Sequence, residues 1–180
     1  MSNISWTCPM YGCLHPMEKT SPNVKSVVHL HNGKEYSLVP YKKPRVTPGT
    51  ETVRELDKKL WTIFSEYIRR GYSDDNGYCE CVTCGKTAHW KSMQAGHFIS
   101  RAKKAIKYDV RNCHVQCPEC NGFKHGNAVE YRKFMIERYG EKVVTQLEYL
   151  SGRNYSFKTY ELKHMIEFYK RKLSGVTGKG

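Results

Sequence analysis

The chain has 180 residues, of which 39% are hydrophobic, so it can bury one modest core and carry an appended segment. Its net charge of +13 favours a polyanionic partner, and nucleic acid is the most common one. No apolar run is long enough to cross a membrane, and the N-terminus lacks the basic and apolar regions of a secretory signal. These features exclude a membrane partner and predict a cytoplasmic protein.

Residues 1–50 are expected to form an irregular N-terminal segment, because prolines interrupt them repeatedly. Val27–His31 followed by Asn32-Gly33 predicts a strand that enters a hairpin turn, and residues 40–49 are typical of a linker. The segment also suggests a minor metal site or DNA contact. Its candidate metal ligands are Cys8, Cys13, His15, His29 and His31. Their irregular spacing leaves a second metal an open question.

Residues 51–174 are expected to form the main domain, and residues 175–180 a flexible tail. Leu56, Leu60 and Phe64 recur at helical spacing, which predicts a helix over 51–70 that stops at Gly71. Short strands around turns are predicted over 78–100, followed by a basic loop. Further helices are predicted over 118–139 (broken near Gly126), 140–150 and 158–173.

Four of the eight cysteines form two C-x-x-C pairs, Cys81/Cys84 and Cys117/Cys120. Such a turn places two thiolates on one edge of a tetrahedron, so two turns complete a closed zinc site that leaves no position for water. We therefore predict one structural Zn²⁺, whose binding would supply folding energy that a small core lacks. Cys79 and Cys113 are predicted to be packed thiols, although Cys79 could compete with Cys81 for the metal.

An ordered set of motifs lies between and around the two C-x-x-C turns. It comprises Ala95-Gly96-His97-Phe98, then Asn112-Cys-His114-Val-Gln-Cys117-Pro-Glu-Cys120-Asn121, and then Lys124-His125-Gly126-Asn127. The set resembles the Rap/NinG recombination endonucleases of lambdoid phages, which are HNH nucleases. The resemblance spans roughly Leu56 to Leu173. It implies an α+β fold with a zinc-stabilised treble-clef ββα-metal core surrounded by helices.

The resemblance also implies the roles of single residues. The histidine at the place of His97 is the general base, a role that suits a side chain titrating near neutrality. The asparagine at the place of Asn112 holds the histidine loop by hydrogen bonds. Asn121 corresponds to an oxygen ligand of the catalytic cation, Mg²⁺ or Mn²⁺, and an amide oxygen suits such a hard ion. Lys124 could contact phosphate.

One position departs from many HNH enzymes, which carry an Asp, Glu or His metal ligand directly before the catalytic histidine. Here that position is Gly96, which has no side chain. His114, His125 or His97 itself could supply the missing bond, so all three remain candidates for the catalytic site. Each also has a structural interpretation: His97 or His114 as a packed residue, and His125 as a solvated, DNA-facing one.

A basic loop follows His97 and is expected to contact DNA phosphates. Its cationic residues are Arg101, Lys103, Lys104, Lys107 and Arg111. The resulting prediction is a metal-dependent DNA endonuclease that hydrolyses phosphodiester bonds in branched or recombination intermediates, such as Holliday junctions or flaps, within a bacterial host cell. Paired cuts across a junction would favour a homodimer. The alternatives are a non-catalytic zinc-finger DNA-binding module and an HNH nuclease of restriction or homing type.

Overall fold

The computed structural model describes residues 27–31, 34–38 and 51–177. The chain divides into two compact units, 1–50 and 51–180. In the first unit, strand β1 (Val27–His31) pairs antiparallel with β2 (Lys34–Leu38), and His31 lies opposite Lys34. This confirms the predicted strand that enters a hairpin. The predicted linker over 40–49 lies outside the described residues.

The second unit begins with helix α1 (Val53–Gly71). Thr52 caps it: the Glu55 amide donates to the Thr52 hydroxyl, and the Thr52 amide donates to the Glu55 carboxylate. This reciprocal pair satisfies two amides that a helix start leaves without partners. Leu56, Leu60 and Phe64 are buried on one face. The helix predicted over 51–70 is confirmed, displaced by one or two residues.

Four short strands follow α1 and form two separate antiparallel pairs. The strands are β3 (Tyr78–Glu80), β4 (Thr87–His89), β5 (Gln94–His97) and β6 (Cys113–Gln116). β3 pairs with β4, and β5 pairs with β6 so that Gly96 lies opposite His114. The segment between β5 and β6 contains 3-10 turns at Lys104–Ile106 and Val110–Asn112, where a basic loop was predicted.

The region predicted as a helix over 118–139, broken near Gly126, consists of two elements. Glu119–Phe123 is a π-helical turn, and helix α2 (Ala128–Tyr139) begins only after it. His125, Gly126 and Asn127 all have positive φ, which no α-helix accommodates, so the break expected near Gly126 is confirmed. The helix predicted from residue 118 does begin there, but its first part is π-helical, with the Lys124 amide donating to the Glu119 carbonyl five residues earlier.

Two further helices complete the unit, α3 (Glu141–Ser151) and α4 (Thr159–Thr177). Both were predicted, but α4 continues past residue 173 into part of the predicted tail. α1 packs against α4 and β5 around one core, which includes Phe64, Val115 and Leu162. A second core joins α2 and α3 to Ile106. Mixed helices and small sheets make this an α+β fold.

Among the described residues, no helix is both long and apolar enough to cross a membrane.

Candidate functional site

Four cysteine side chains converge where β3 and β6 end. The Sγ atoms of Cys81, Cys84, Cys117 and Cys120 all lie within 4.8 Å of one another. The Cys84 and Cys117 sulfurs are 3.8 Å apart. Tetrahedral geometry with Zn–S bonds of about 2.3 Å gives sulfur separations of about 3.8 Å, so the cluster fits one zinc ion. The predicted ligand set is therefore brought together, and the four cysteines could hold Zn²⁺.

Backbone geometry explains why these sequences form metal-binding turns. Gly85 has φ +72° and donates its amide to the Cys81 carbonyl at 2.8 Å, which closes the first turn. In the second turn the Cys120 amide points at the Cys117 sulfur, 3.4 Å away. An N–H directed at sulfur favours the thiolate, the form that binds metal.

The remaining described cysteines lie outside this cluster. Cys79 is buried and directs its thiol at the Ala88 carbonyl, and Cys113 is fully buried. Burial raises the pKa of the Cys113 thiol, which keeps it protonated. Both are packed thiols, as predicted. Cys8, Cys13 and His15 lie outside the described residues, and only the backbone of His29 and His31 is described, so a second metal stays a prediction.

His97 ends β5 and is held from two sides. Its Nε2 lies 2.8 Å from the Lys107 carbonyl oxygen. Because a carbonyl only accepts, Nε2 carries the proton and Nδ1 keeps its lone pair. The Trp61 ring stacks on the imidazole with centroids 5.1 Å apart and planes 23° apart. This arrangement leaves Nδ1 as the basic atom of a fixed imidazole.

The surroundings of His97 also favour its neutral form. Burial lowers the pKa of the imidazole, and the positive charges of Lys107 and Arg101 lower it further, against the opposing effect of the Lys107 carbonyl. A histidine with a lowered pKa remains unprotonated at neutral pH and is ready to accept a proton.

Asn112 fixes the loop that follows His97. Its side-chain oxygen accepts from the Ile99 amide at 2.8 Å, and its side-chain nitrogen donates to the Ile99 and Ile106 carbonyls at 2.9 and 3.2 Å. Asn112 is completely buried, so these bonds are protected from water. The loop-holding role that the resemblance implied for Asn112 has a matching set of hydrogen bonds.

His97 opens into a cleft of about 640 Å³, called here the His97 cleft. Asn121 and His125 line the same cleft, so three predicted site residues come together. Asn121 donates its side-chain amide to Gln94 Oε1 at 2.6 Å, which fixes the orientation of its oxygen. Trp61 and Arg101 line both this cleft and a second one of about 580 Å³, called here the Arg54 cleft.

His114 is not part of the His97 cleft, which corrects its candidacy as base or ligand. It is fully buried between two phenols, with Nδ1 3.0 Å from the Tyr131 hydroxyl and Nε2 3.0 Å from the Tyr139 hydroxyl. Burial lowers its pKa to about 3, helped by the Arg138 charge. Both ring nitrogens are occupied within the core, so the structure gives His114 a packing role.

The basic residues predicted to face DNA separate into two groups. Lys107 contacts Asp57 at 2.6 Å, Arg111 contacts Asp109 at 2.6 Å, and Lys124 contacts Glu119 at 2.8 Å. Each of these three charges is balanced by a carboxylate of the protein. Lys107 and Arg111 are therefore poorly placed to bind a DNA phosphate. Lys103 and Lys104 are exposed, and no acidic side chain of the described residues pairs with them.

Two residues at the site were missed by sequence reasoning. Trp61 lies at the edge of the apolar face of α1, and its helical position gave no signal that it stacks on His97. Gln116 stands inside the quoted motif, but only the pairing of β5 with β6 reveals that its amide fills the space beside Gly96.

Comparison with known proteins identifies the family of the chain. The family model for the bacteriophage lambda NinG protein matches residues 41–177. The chain belongs to the NinG family. The NinG proteins of Salmonella phage P22 and Escherichia phage lambda are 36% and 34% identical to it over 99 residues, 53% of this chain and 47% of each relative. The protein ninG of Escherichia phage 933W is 27% identical over 153 residues, 82% of this chain and 73% of the relative.

The matched region thus spans about half the length of the P22 and lambda NinG relatives. No solved structure matches the chain. The NinG match includes both cysteine pairs and every residue of the His97 cleft named above.

The first prediction concerns the metal of this NinG-family chain. Replacing Cys117 with Ser should abolish zinc binding and unfold residues 51–177, because structural zinc contributes about 10–16 kcal/mol in small domains and whole-domain stability is about 5–15 kcal/mol. Cys79→Ala is the matched control and should keep one zinc per chain. Zinc content and thermal unfolding measure both effects. A Cys117→Ser protein with unchanged helicity and melting temperature would contradict a structural zinc.

The second prediction concerns the proton affinity of His97. An NMR titration of its ring should give a midpoint below the ordinary value of about 6.5. Trp61→Ala should raise that midpoint, because water then reaches the imidazole and stabilises its charged form. Trp90→Ala is the control, since Trp90 packs against Arg69 and Arg70 instead. A wild-type midpoint at or above 6.5 would show that the surroundings do not hold His97 neutral.

Proposed function

We propose that the chain is a metal-dependent endonuclease of the HNH type, which hydrolyses phosphodiester bonds in branched or recombination-intermediate DNA. The observation that carries this proposal is the state of His97. Its Nε2 is committed to the Lys107 carbonyl, and its Nδ1 has no hydrogen-bond partner among the described residues. It also shares a cleft with Asn121, an oxygen ligand of the type that Mg²⁺ or Mn²⁺ prefers.

The chemistry follows from these groups. His97 Nδ1 accepts a proton from a water molecule, and the water oxygen forms a bond to phosphorus while the bond from phosphorus to the leaving oxygen breaks. The leaving oxygen then takes a proton from solvent. A divalent cation held by Asn121 would neutralise charge on the phosphate and on the leaving oxygen. Arg101, which lines the His97 cleft, is placed to bind a neighbouring phosphate.

The local fold supports the treble-clef ββα-metal assignment. A C-x-x-C turn follows β3, strands β5 and β6 pair antiparallel, and the second C-x-x-C turn opens a helical segment. His97 ends β5, and Asn121 follows the last cysteine in that segment. A zinc ion bound by the four cysteines would therefore anchor both elements that hold the proposed catalytic side chains.

The charge distribution supports DNA as the substrate. The Arg54 cleft is lined by Arg54, Lys58 and Arg101, and also by Glu55 and by the paired Asp57 and Lys107. It meets the His97 cleft at Trp61 and Arg101. Lys103 and Lys104 are exposed in the loop that follows. Unpaired cations beside the cleft would bind phosphates without reading bases, which suits an enzyme that recognises DNA shape.

The third prediction tests the enzyme itself. With Mg²⁺, the wild-type protein should cut a four-way junction or a flap in preference to linear duplex, and chelation of Mg²⁺ should stop cleavage. His97→Ala should lose about 10²–10⁴-fold in rate, the usual contribution of a positioned base, while still binding DNA. His164→Ala, on the exposed side of α4, is the control and should cut normally.

Undiminished cleavage by His97→Ala would remove His97 from the mechanism. DNA binding by the wild type with no cleavage of any junction, flap or duplex would instead favour the non-catalytic DNA-binding module.

The fourth prediction concerns the DNA-facing surface. Replacing both Lys103 and Lys104 with Ala should reduce the slope of log affinity against log salt by about 2, since each phosphate contact on duplex contributes about 0.9. Lys133 and Lys170, which pair with Glu130 and Glu167, are the matched control for an equal loss of charge. Their replacement with Ala should leave the slope unchanged. Equal slopes for the two double variants would show that DNA does not contact Lys103 and Lys104.

A further inference from the structure

The space beside Gly96 is filled by another side chain. A Cβ atom built on Gly96 would lie 2.0 Å from Gln116 Oε1, far inside any tolerated contact. The strand pairing explains this closeness. Gly96 lies opposite His114, and Gln116 is two residues further along β6, so it is the diagonal neighbour that a long side chain reaches. Glycine at position 96 makes room for the Gln116 amide.

The Gln116 amide is anchored by its nitrogen and unsatisfied at its oxygen. Nε2 donates to the Gly126 carbonyl at 2.8 Å and to the Thr83 hydroxyl at 3.1 Å. Because the Gly126 carbonyl can only accept, it fixes which end of the amide is nitrogen. Gln116 Oε1 is buried and, alone among buried side-chain polar atoms of the described residues, has no hydrogen-bond partner. A buried acceptor without a partner is costly and is normally matched by a water or an ion.

A second amide oxygen faces the same space. Asn121 Oδ1 lies 3.0 Å from the Cβ position of Gly96, so both oxygens lie within 3.0 Å of one point. The hydrogen bond from Asn121 Nδ2 to Gln94 holds that oxygen in place. Asn121 also lines the His97 cleft, which connects this point to the proposed reaction site.

We propose that Gln116 Oε1 and Asn121 Oδ1 together bind the divalent cation, with Gln116 supplying the oxygen that the side chain before His97 supplies in many HNH enzymes. This inference rests on the proposed function and identifies the missing ligand. Neither His114 nor His125 is required for it. Two amide oxygens beside one point suit Mg²⁺ or Mn²⁺, which take oxygen ligands and keep several waters.

The two proposed ligands are neutral, and this determines how strongly the free protein binds the cation. Neither amide carries charge, so the cation gains little electrostatic energy from the protein alone. The DNA phosphate must provide the negative charge, as substrate phosphates commonly do at Mg²⁺ sites. The free protein is therefore expected to bind the cation weakly, and DNA and cation should strengthen each other's binding.

The fifth prediction uses Mn²⁺ as a paramagnetic probe of the zinc-loaded protein. Mn²⁺ should broaden the NMR signals of the Gln116 and Asn121 side-chain amides first, and leave that of Gln146, which contacts Arg111, sharp. In Gln116→Ala, broadening of the Asn121 amide should require about 10–100-fold more Mn²⁺, the loss typical when a metal site is deprived of a supporting group. Gln146→Ala is the matched control and should behave as wild type.

Substitution at position 96 provides an independent check. Gly96→Ala should weaken Mn²⁺ binding with Gln116 still present, because the new methyl group displaces its oxygen. The double variant Gly96→Asp with Gln116→Ala should restore binding, since a carboxylate then occupies the emptied space. Zinc content and melting temperature, recorded for each variant, identify any that have lost the fold.

The outcomes separate this inference from the proposed function. Wild-type Mn²⁺ binding at Gln116 and Asn121 without cleavage of any DNA would keep the cation site and remove the nuclease. Mg²⁺-dependent cleavage with equal Mn²⁺ binding by Gln116→Ala and wild type would keep the nuclease and overturn the role of Gln116. Broadening that spares both amides would also overturn it, and a buried water would then be the partner of Gln116 Oε1.

Discussion

The four-cysteine cluster is the constraint on which the rest of this domain depends. The strands are only three or four residues long, and each sheet has two strands, so strand pairing alone cannot hold the site together. Cys81 and Cys84 lie in the chain before β4, and Cys117 and Cys120 lie after β6. A metal ion bound by all four would fix β5, β6 and the turn after Cys120 relative to one another. His97 and Asn121 lie on those elements.

Within the elements around the four-cysteine cluster, the proposed chemistry depends on keeping His97 neutral and correctly oriented. Trp61 from α1 covers one face of the ring, and the Lys107 carbonyl takes the Nε2 proton. Asn112 holds the loop through Ile99 and Ile106, which places Lys107. The ion pair between Lys107 and Asp57 ties the same loop to α1. Packing and polar contacts thus fix the orientation and the neutral form of one imidazole, as is typical of preorganised sites.

Sequence patterns predicted the parts of the site that local spacing encodes. The C-x-x-C pairs predicted the four cysteines that the structure brings together, and the apolar stripe of α1 predicted its buried face. The ordered motifs named His97 and Asn121, which line one cleft, and Asn112, which holds the following loop. Contacts between distant segments were not predictable. Lys107 was assigned to DNA because Asp57, fifty residues earlier, gave no sign of pairing with it. His114 was a candidate ligand until its two tyrosine partners placed it in the core.

The missing ligand beside His97 illustrates the same limit. Gly96 looked like a gap in the metal site, because a sequence shows only which side chain is absent. The register of β5 and β6 shows that the Gln116 amide occupies the space beside Gly96, which is why we propose it as the replacement. The helix predicted from residue 118 is present, but its π-helical form was not predictable: hydrogen bonds around the second cysteine turn, such as that from the Gly126 amide to the Cys120 carbonyl, have spacings that a helical pattern does not reveal.

The most direct test of the proposed nuclease is the pH dependence of single-turnover cleavage of a four-way junction at saturating Mg²⁺. If His97 is the base, the rate should rise with pH and level off through one midpoint below about 6.5, and Trp61→Ala should shift that midpoint upward. The shift should match the one that NMR measures for the His97 ring. A rate that does not change across this pH range would contradict His97 as the catalytic base. So would a midpoint that is the same in Trp61→Ala and in the wild type.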